Sequence, residues 1–200
     1  MNLRSASLVL LALPALGNAV DFLPMEKLPP EVRPFVAAGT RPLSLVGADL
    51  NGDGLRDFVL VLETQKARPS DPAVEDRQRP LLILTRQPDG TLKEAKRNER
   101  IVFCSTCGGA MGDPFQGIKV GPNTFTVSHY GGSAERWGLD YKFNYSRRDS
   151  TWQLVRVEEN TFHAGEPGKG KATVYTAPRD FGKIDITDFD PGNWKGRGPK

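Results

Sequence analysis

Nine residues between Asp49 and Asp57, DLNGDGLRD, hold three carboxylates, one carboxamide and two glycines. Counting Asp49 as position 1 puts Asn51 at 3, Asp53 at 5, Gly54 at 6, Leu55 at 7 and Asp57 at 9. A hard divalent cation takes six to eight oxygens, and a tight loop can supply them from alternate side chains plus the carbonyl at position 7. Gly52 and Gly54 let the backbone curl. Left alone, the three carboxylates would repel one another, whereas a bound cation turns that repulsion into a contribution to folding. The ligand set expected for calcium is therefore Asp49, Asn51, Asp53, the carbonyl of Leu55, and Asp57. An EF-hand also requires a bidentate glutamate at position 12, where this chain has Leu60. The competing reading is an acidic turn that holds no ion, since Asp, Asn and Gly are common turn residues.

The stretch LVGADLNGDGLRDFVLVL resembles the D-x-N-x-D-G-x-x-D loops of FG-GAP and VCBS-type repeats. That resemblance implies a calcium loop set between β-strands rather than between helices. It covers about one-tenth of the chain and a single repeat. A propeller needs several such units, so the resemblance extends to the loop and not to that architecture.

Cys104 and Cys107, in CSTC, are the only cysteines. In an exported chain an even pair is read most simply as a disulfide, here bracing the turn CSTCGGAMGDPFQG. Zinc would need two further ligands. The only histidines, His129 and His163, lie far apart in sequence and form no H-x-H or H-x-x-x-H spacing. Thiol exchange would call for a βαβ setting or a helix start to lower a thiol pKa, and the local sequence has neither.

Gly108, Gly109 and Gly112 after the cysteines, and Gly131 and Gly132 in SHYGGSAERW, would let two loops approach closely. Asp113, His129, Ser133, Glu135, Arg136 and Trp137 are the groups available for a ligand rim there. Hydrolysis through His129 and its neighbours is the enzymatic alternative. Ser133 lacks the G-x-S-x-G setting, and His129, Ser133 and Asp140 are too close along one turn and strand to promise a triad. FCSTCGGAMGDPFQGIKV followed by FTVSHYGGSAERW is similar to a group of small exported bacterial proteins. That resemblance implies a shared fold and carries no activity with it.

The elements that must position these residues read as strands. Pro42–Ala48 and Asp57–Glu63 flank the acidic loop, and LLILTR (81–86), PDG and TLKEAKR (91–97) make a hairpin around Asp-Gly. Thr124–Tyr130, the alternating segment from Trp137 to Tyr145, and Thr151–Glu159 make a three-strand meander, with KATVYT (171–176) as a further short strand. One short helix is expected over Glu31–Ala38, between prolines and Gly39. Residues 64–80 read as a long polar loop, GEPGKGK (165–171) as a flexible connector and 195–200 as a disordered tail. The fold class expected is mainly β, an antiparallel meander forming one domain over 20–200.

Residues 1–19 have the basic start, short apolar core and small-x-small end of a secretory signal peptide, and no cysteine near the cleavage point could carry a lipid anchor. The apolar run is shorter than the roughly 20 residues that span a bilayer. The net charge of +3 is small, with basic residues scattered among acids, which excludes the clustered pattern of a nucleic-acid binder. Few aromatics (8%) with 21 Gly and 16 Pro point away from a helical bundle. The expectation is a periplasmic or secreted, non-enzymatic binding or structural module with one structural calcium. Its partner would be a protein or glycan of the envelope. An inhibitor or immunity-type role beside another exported protein is the remaining alternative.

Overall fold

A computed structural model of the chain describes residues 22–65 and 78–194. The expected leader (1–19), most of the long polar loop and the tail (195–200) lie outside those residues. Nine strands form two antiparallel sheets. β1 (Thr40–Ala48), β2 (Asp57–Thr64), β3 (Leu81–Arg86) and β4 (Leu92–Asn98) make the first, in sequential order. β5 (Phe115–Gly121), β6 (Thr124–Gly132), β7 (Glu135–Ser146), β8 (Thr151–His163) and β9 (Lys171–Thr176) make the second, also in sequential order.

The two sheets share one core. Leu43, Val59, Val61, Leu81 and Ile83 of the first meet Phe125, Val127, Phe143, Trp152 and Leu154 of the second, with Ile186 and Phe189 contributed by the C-terminal segment. A second cluster fills the opposite face of the four-stranded sheet, where Val32, Phe35 and Val36 cover Phe58, Leu60, Leu62, Leu82 and Leu84. This double coverage explains why DFVLVL and LLIL are continuous apolar runs, since a strand buried on both faces has no polar side to alternate. β6 is buried on one face only and alternates along its whole length.

The helix expected over Glu31–Ala38 is replaced by one 3₁₀ turn, Arg33–Phe35, closed by Phe35 N–H to the Val32 carbonyl and Val36 N–H to the Arg33 carbonyl. Few residues separate the prolines from Gly39, which has φ +77°. That is too short a span to offset the cost of nucleating an α-helix, and packing Val32, Phe35 and Val36 onto the sheet sets the path instead. Among the described residues only 3₁₀ turns are helical. The meander is larger than its sequence suggested. FQGIKVG adds β5 at one end, with a bulge between Phe115 and Gly117, and the expected strand KATVYT pairs with β8 as β9 at the other.

Candidate functional site

The acidic loop is the connection of the β1–β2 hairpin, closed by the pair Ala48 and Asp57. Its side chains fold inward onto its own backbone. Asp49 Oδ1 accepts from Gly52 N–H (2.7 Å) and Oδ2 from Gly54 N–H (3.0 Å), while Asp53 Oδ1 accepts from Leu55 N–H (2.8 Å). Asn51 Oδ1 accepts from Asp53 N–H (3.0 Å), and its Nδ2 donates to Asp53 Oδ2 (2.8 Å). Asp57 is fully buried. Its two oxygens accept from Leu50 N–H (3.0 Å) and from Arg86 N–H at the end of β3 (2.9 Å). Burial pushes the Asp57 carboxyl above its ordinary pKa against those two hydrogen bonds, and the charges of Asp53 and Asp49 push it further.

The donor set is all oxygen and three of its members feel one another's charge, which suits a hard cation. The side chains are engaged with loop amides, and among the described residues no three Asp, Glu, His or Cys side chains are drawn together as a ready-made metal cluster. Asp49, Asn51, Asp53, Asp57 and the Leu55 carbonyl are the groups that could hold such an ion.

The loop is also wedged between the two sheets. Leu50 is buried in the shared core, and its carbonyl accepts from the Trp152 indole N–H at 2.9 Å. The Asp49 carbonyl accepts from Asn123 N–H (3.0 Å) in the β5–β6 turn, and Arg147 in the β7–β8 turn donates to the Gly52 carbonyl (3.4 Å). Gly52 has φ +76°, and a Cβ there would sit 2.5 Å from Asn123 Oδ1, so this contact admits glycine alone.

Cys104 and Cys107 are joined as a disulfide, which leaves no thiolate for zinc. The glycines beyond them make the close approach their spacing suggested. Gly132 N–H donates to the Gly108 carbonyl (2.9 Å). A Cβ on Gly131 would lie 2.5 Å from Trp137 Cζ2 and 3.0 Å from Gly108 Cα.

Of the six candidate rim residues, His129, Arg136 and Trp137 lie on strands whose alternation divides them, and Ser133 lies in the turn between those strands. Trp137 covers Gly131 on the core side and meets Phe103 edge-on. Arg136 points to the other face of the sheet, and its Nη1 is buried without a hydrogen-bond partner among the described residues. Ser133 is exposed in the β6–β7 turn, where its N–H donates to the Glu135 carbonyl (2.9 Å). His129 is 2% exposed and stacks on Phe103 at 4.4 Å. Its Nε2 accepts from Phe103 N–H (3.3 Å), which puts the ring proton on Nδ1, a buried atom with no partner among the described residues. Burial, then repulsion from Arg79, pushes the imidazole down to about 3. The ring is thus neutral and enclosed, which weighs against general-base work on an external substrate.

Asp113 belongs to an ionic network that the sequence did not disclose. Arg79 is fully buried and donates to both oxygens of Asp113, to Glu63 Oε1 (2.8 and 3.0 Å) and to the Phe103 carbonyl (3.0 Å). Glu63 Oε2 accepts in turn from Arg41 (2.8 Å). The guanidinium therefore ties the end of β2 to both ends of the disulfide loop. Arg79 was hidden in the polar segment 64–80, and its position one residue before Pro80 and the apolar run of β3 was the one available signal. A cleft of about 240 Å³ opens where β7 and β9 begin and β8 ends, with Glu135, Thr161, Phe162, His163, Glu166, Lys169 and Lys171 around it. Of these, Glu135 was a candidate rim group from sequence and His163 was weighed only as a zinc ligand, while Glu166, Lys169 and Lys171 fall in 165–171, which read as a connector.

Comparisons with protein-family models, curated proteins and solved structures find no match to this chain.

Proposed function

We propose that this chain is an exported, calcium-braced β-module of the cell envelope that binds or supports another envelope component and catalyses no reaction. The observation that carries the reading is the placement of the acidic loop: Asp49, Asn51 and Asp53 share one turn with a buried Asp57 that feels the charges of Asp53 and Asp49, and the same loop bonds to the β5–β6 turn and to Trp152. A cation held there by Asp49, Asn51, Asp53, Asp57 and the Leu55 carbonyl would relieve the carboxylate repulsion and lock one sheet to the other. The leader-like start and the disulfide agree with a periplasmic or secreted location. A buried, neutral His129 favours a structural over a catalytic reading. The partner, protein or glycan, is the open part of the proposal.

Thermal unfolding with and without calcium tests it. Calcium at a hundredfold its Kd stabilises by about 2.7 kcal/mol, roughly 5–10 °C for a chain of this size. Asp53→Ala should remove that increment and leave the calcium-free melting temperature nearly unchanged. A wild-type melting curve indifferent to calcium and to chelator would overturn the ion site.

A further inference from the structure

The four outer strand edges are treated differently. β1 and β5 lie beside each other. β4 carries Lys93, Glu94, Lys96 and Arg97, and its last residue, Asn98, donates to the Ile186 and Phe189 carbonyls. Charged side chains and covering segments are the usual protection of a sheet edge. β9 carries no charge beyond Lys171 and is covered only at its last residue, Thr176: Ala172, Thr173, Val174 and Tyr175 are uncharged, and Val174 is 38% exposed.

Which backbone groups are open on β9 follows from its register. Ala177 N–H donates to the Val155 carbonyl, so Tyr175, Thr173 and Lys171 face β8, and Thr176, Val174 and Ala172 face away. The outward groups of Thr176 are already closed, its N–H by Asp180 Oδ2 (2.7 Å) and its carbonyl by Asp180 N–H (2.9 Å). Ala172 and Val174 are left with their N–H and C=O groups directed outward and without a protein partner among the described residues.

We infer that β9 pairs with β9 of a second copy of this chain, antiparallel about a two-fold axis at Thr173. In that register Ala172 faces Val174 of the other copy twice over, and each facing pair exchanges two hydrogen bonds, so all four open groups of each edge are satisfied. The match is self-complementary, as a two-fold interface requires. Val174 packs against Ala172 of the other copy on the outer face. Gly170, which has no side chain, faces the Asp180 cap. Two rungs bury less than the roughly 1,000 Å² of a permanent interface, so the dimer is a concentration-dependent one.

Sedimentation velocity of the full chain from micromolar to millimolar concentration should show a monomer-to-dimer shift. Val174→Pro deletes an outward N–H on an edge strand, where proline is compatible with the fold, and should abolish the shift while leaving the circular dichroism spectrum intact. Thr173 would face its own copy in a non-hydrogen-bonded pair with Cα atoms about 4.5 Å apart, within disulfide range. Thr173→Cys should therefore give a covalent dimer on mild oxidation. A monomer at every concentration, a Val174→Pro chain that dimerises as well as wild type, or a Thr173→Cys chain that fails to cross-link would each overturn the pairing.

Discussion

His129 couples the interior to pH. Its folded pKa of about 3 lies below the ordinary imidazole value of 6.5, first because of burial and then because of Arg79, with Asp113 opposing. Between those two values the unfolded chain binds a proton that the folded chain refuses, so stability falls as pH drops through this window. From about pH 7 to about pH 5 the loss is about 2 kcal/mol for an unfolded-state pKa near 6.5. His129→Phe keeps a ring against Phe103, removes the titrating group and leaves Phe103 N–H without its acceptor. Urea midpoints at those two pH values should therefore show a lower stability throughout for the variant and a flatter pH dependence. An unchanged slope would mean that other groups carry the acid sensitivity.

At the scale of elements, the disulfide loop and the β6–β7 hairpin are matched by what their glycines lack. Gly131 has no room for a methyl group between Trp137 Cζ2 at 2.5 Å and Gly108 Cα at 3.0 Å. Gly131→Ala must push the indole or the loop away, and overpacking of this kind costs about 1–3 kcal/mol. Chemical denaturation should show that loss, and proteolysis should move to residues 105–112, whose docking through Gly132 N–H and the Gly108 carbonyl is broken. Ala134→Gly in the adjacent exposed turn is the control expected to leave the cleavage pattern alone. The sequence disclosed that these loops could meet, because closely placed glycines have few other uses. Alternation in the sequence already put His129 in parity with Phe125 and Val127, and Trp137 with Leu139 and Tyr141; it did not disclose that Phe103, from a loop elsewhere in the chain, would cover His129 and meet Trp137 on that face. β5 escaped for its own reason. Gly117 (φ +107°) and the bulge at Phe115 interrupt its period of two, so FQG read as the end of a turn and IKVG was assigned to no strand.

For the whole molecule, the decisive question is how two sheets with separate hydrogen-bond ladders become one unit. Period and apolar content marked most of the strands, and the nine-residue acidic pattern marked the β1–β2 connection. The coupling between sheets was not legible, because it runs through pairs remote in sequence: the Trp152 indole to the Leu50 carbonyl, Asn123 N–H to the Asp49 carbonyl, and Arg79 to Glu63 and Asp113. Trp152→Phe tests the first of these. It keeps an aromatic ring in the core but removes the N–H and some volume, leaving the buried Leu50 carbonyl without that donor, at a cost of about 1–3 kcal/mol. Leu50 N–H is at the same time the donor to Asp57 Oδ2, so its peptide is held from the second sheet through its own carbonyl and from Asp57 through the neighbouring amide. Loosening that residue should spread the acidic loop as well as weaken the core. If the loop holds calcium as proposed, Trp152→Phe should lower the calcium-free stability and also reduce the increment that calcium adds, whereas Leu62→Ala, a core change in the other cluster at the end of β2 away from the loop, should lower the first and leave the second intact. Equal calcium increments in the two variants would show that the loop binds its ion independently of the sheet it leans on.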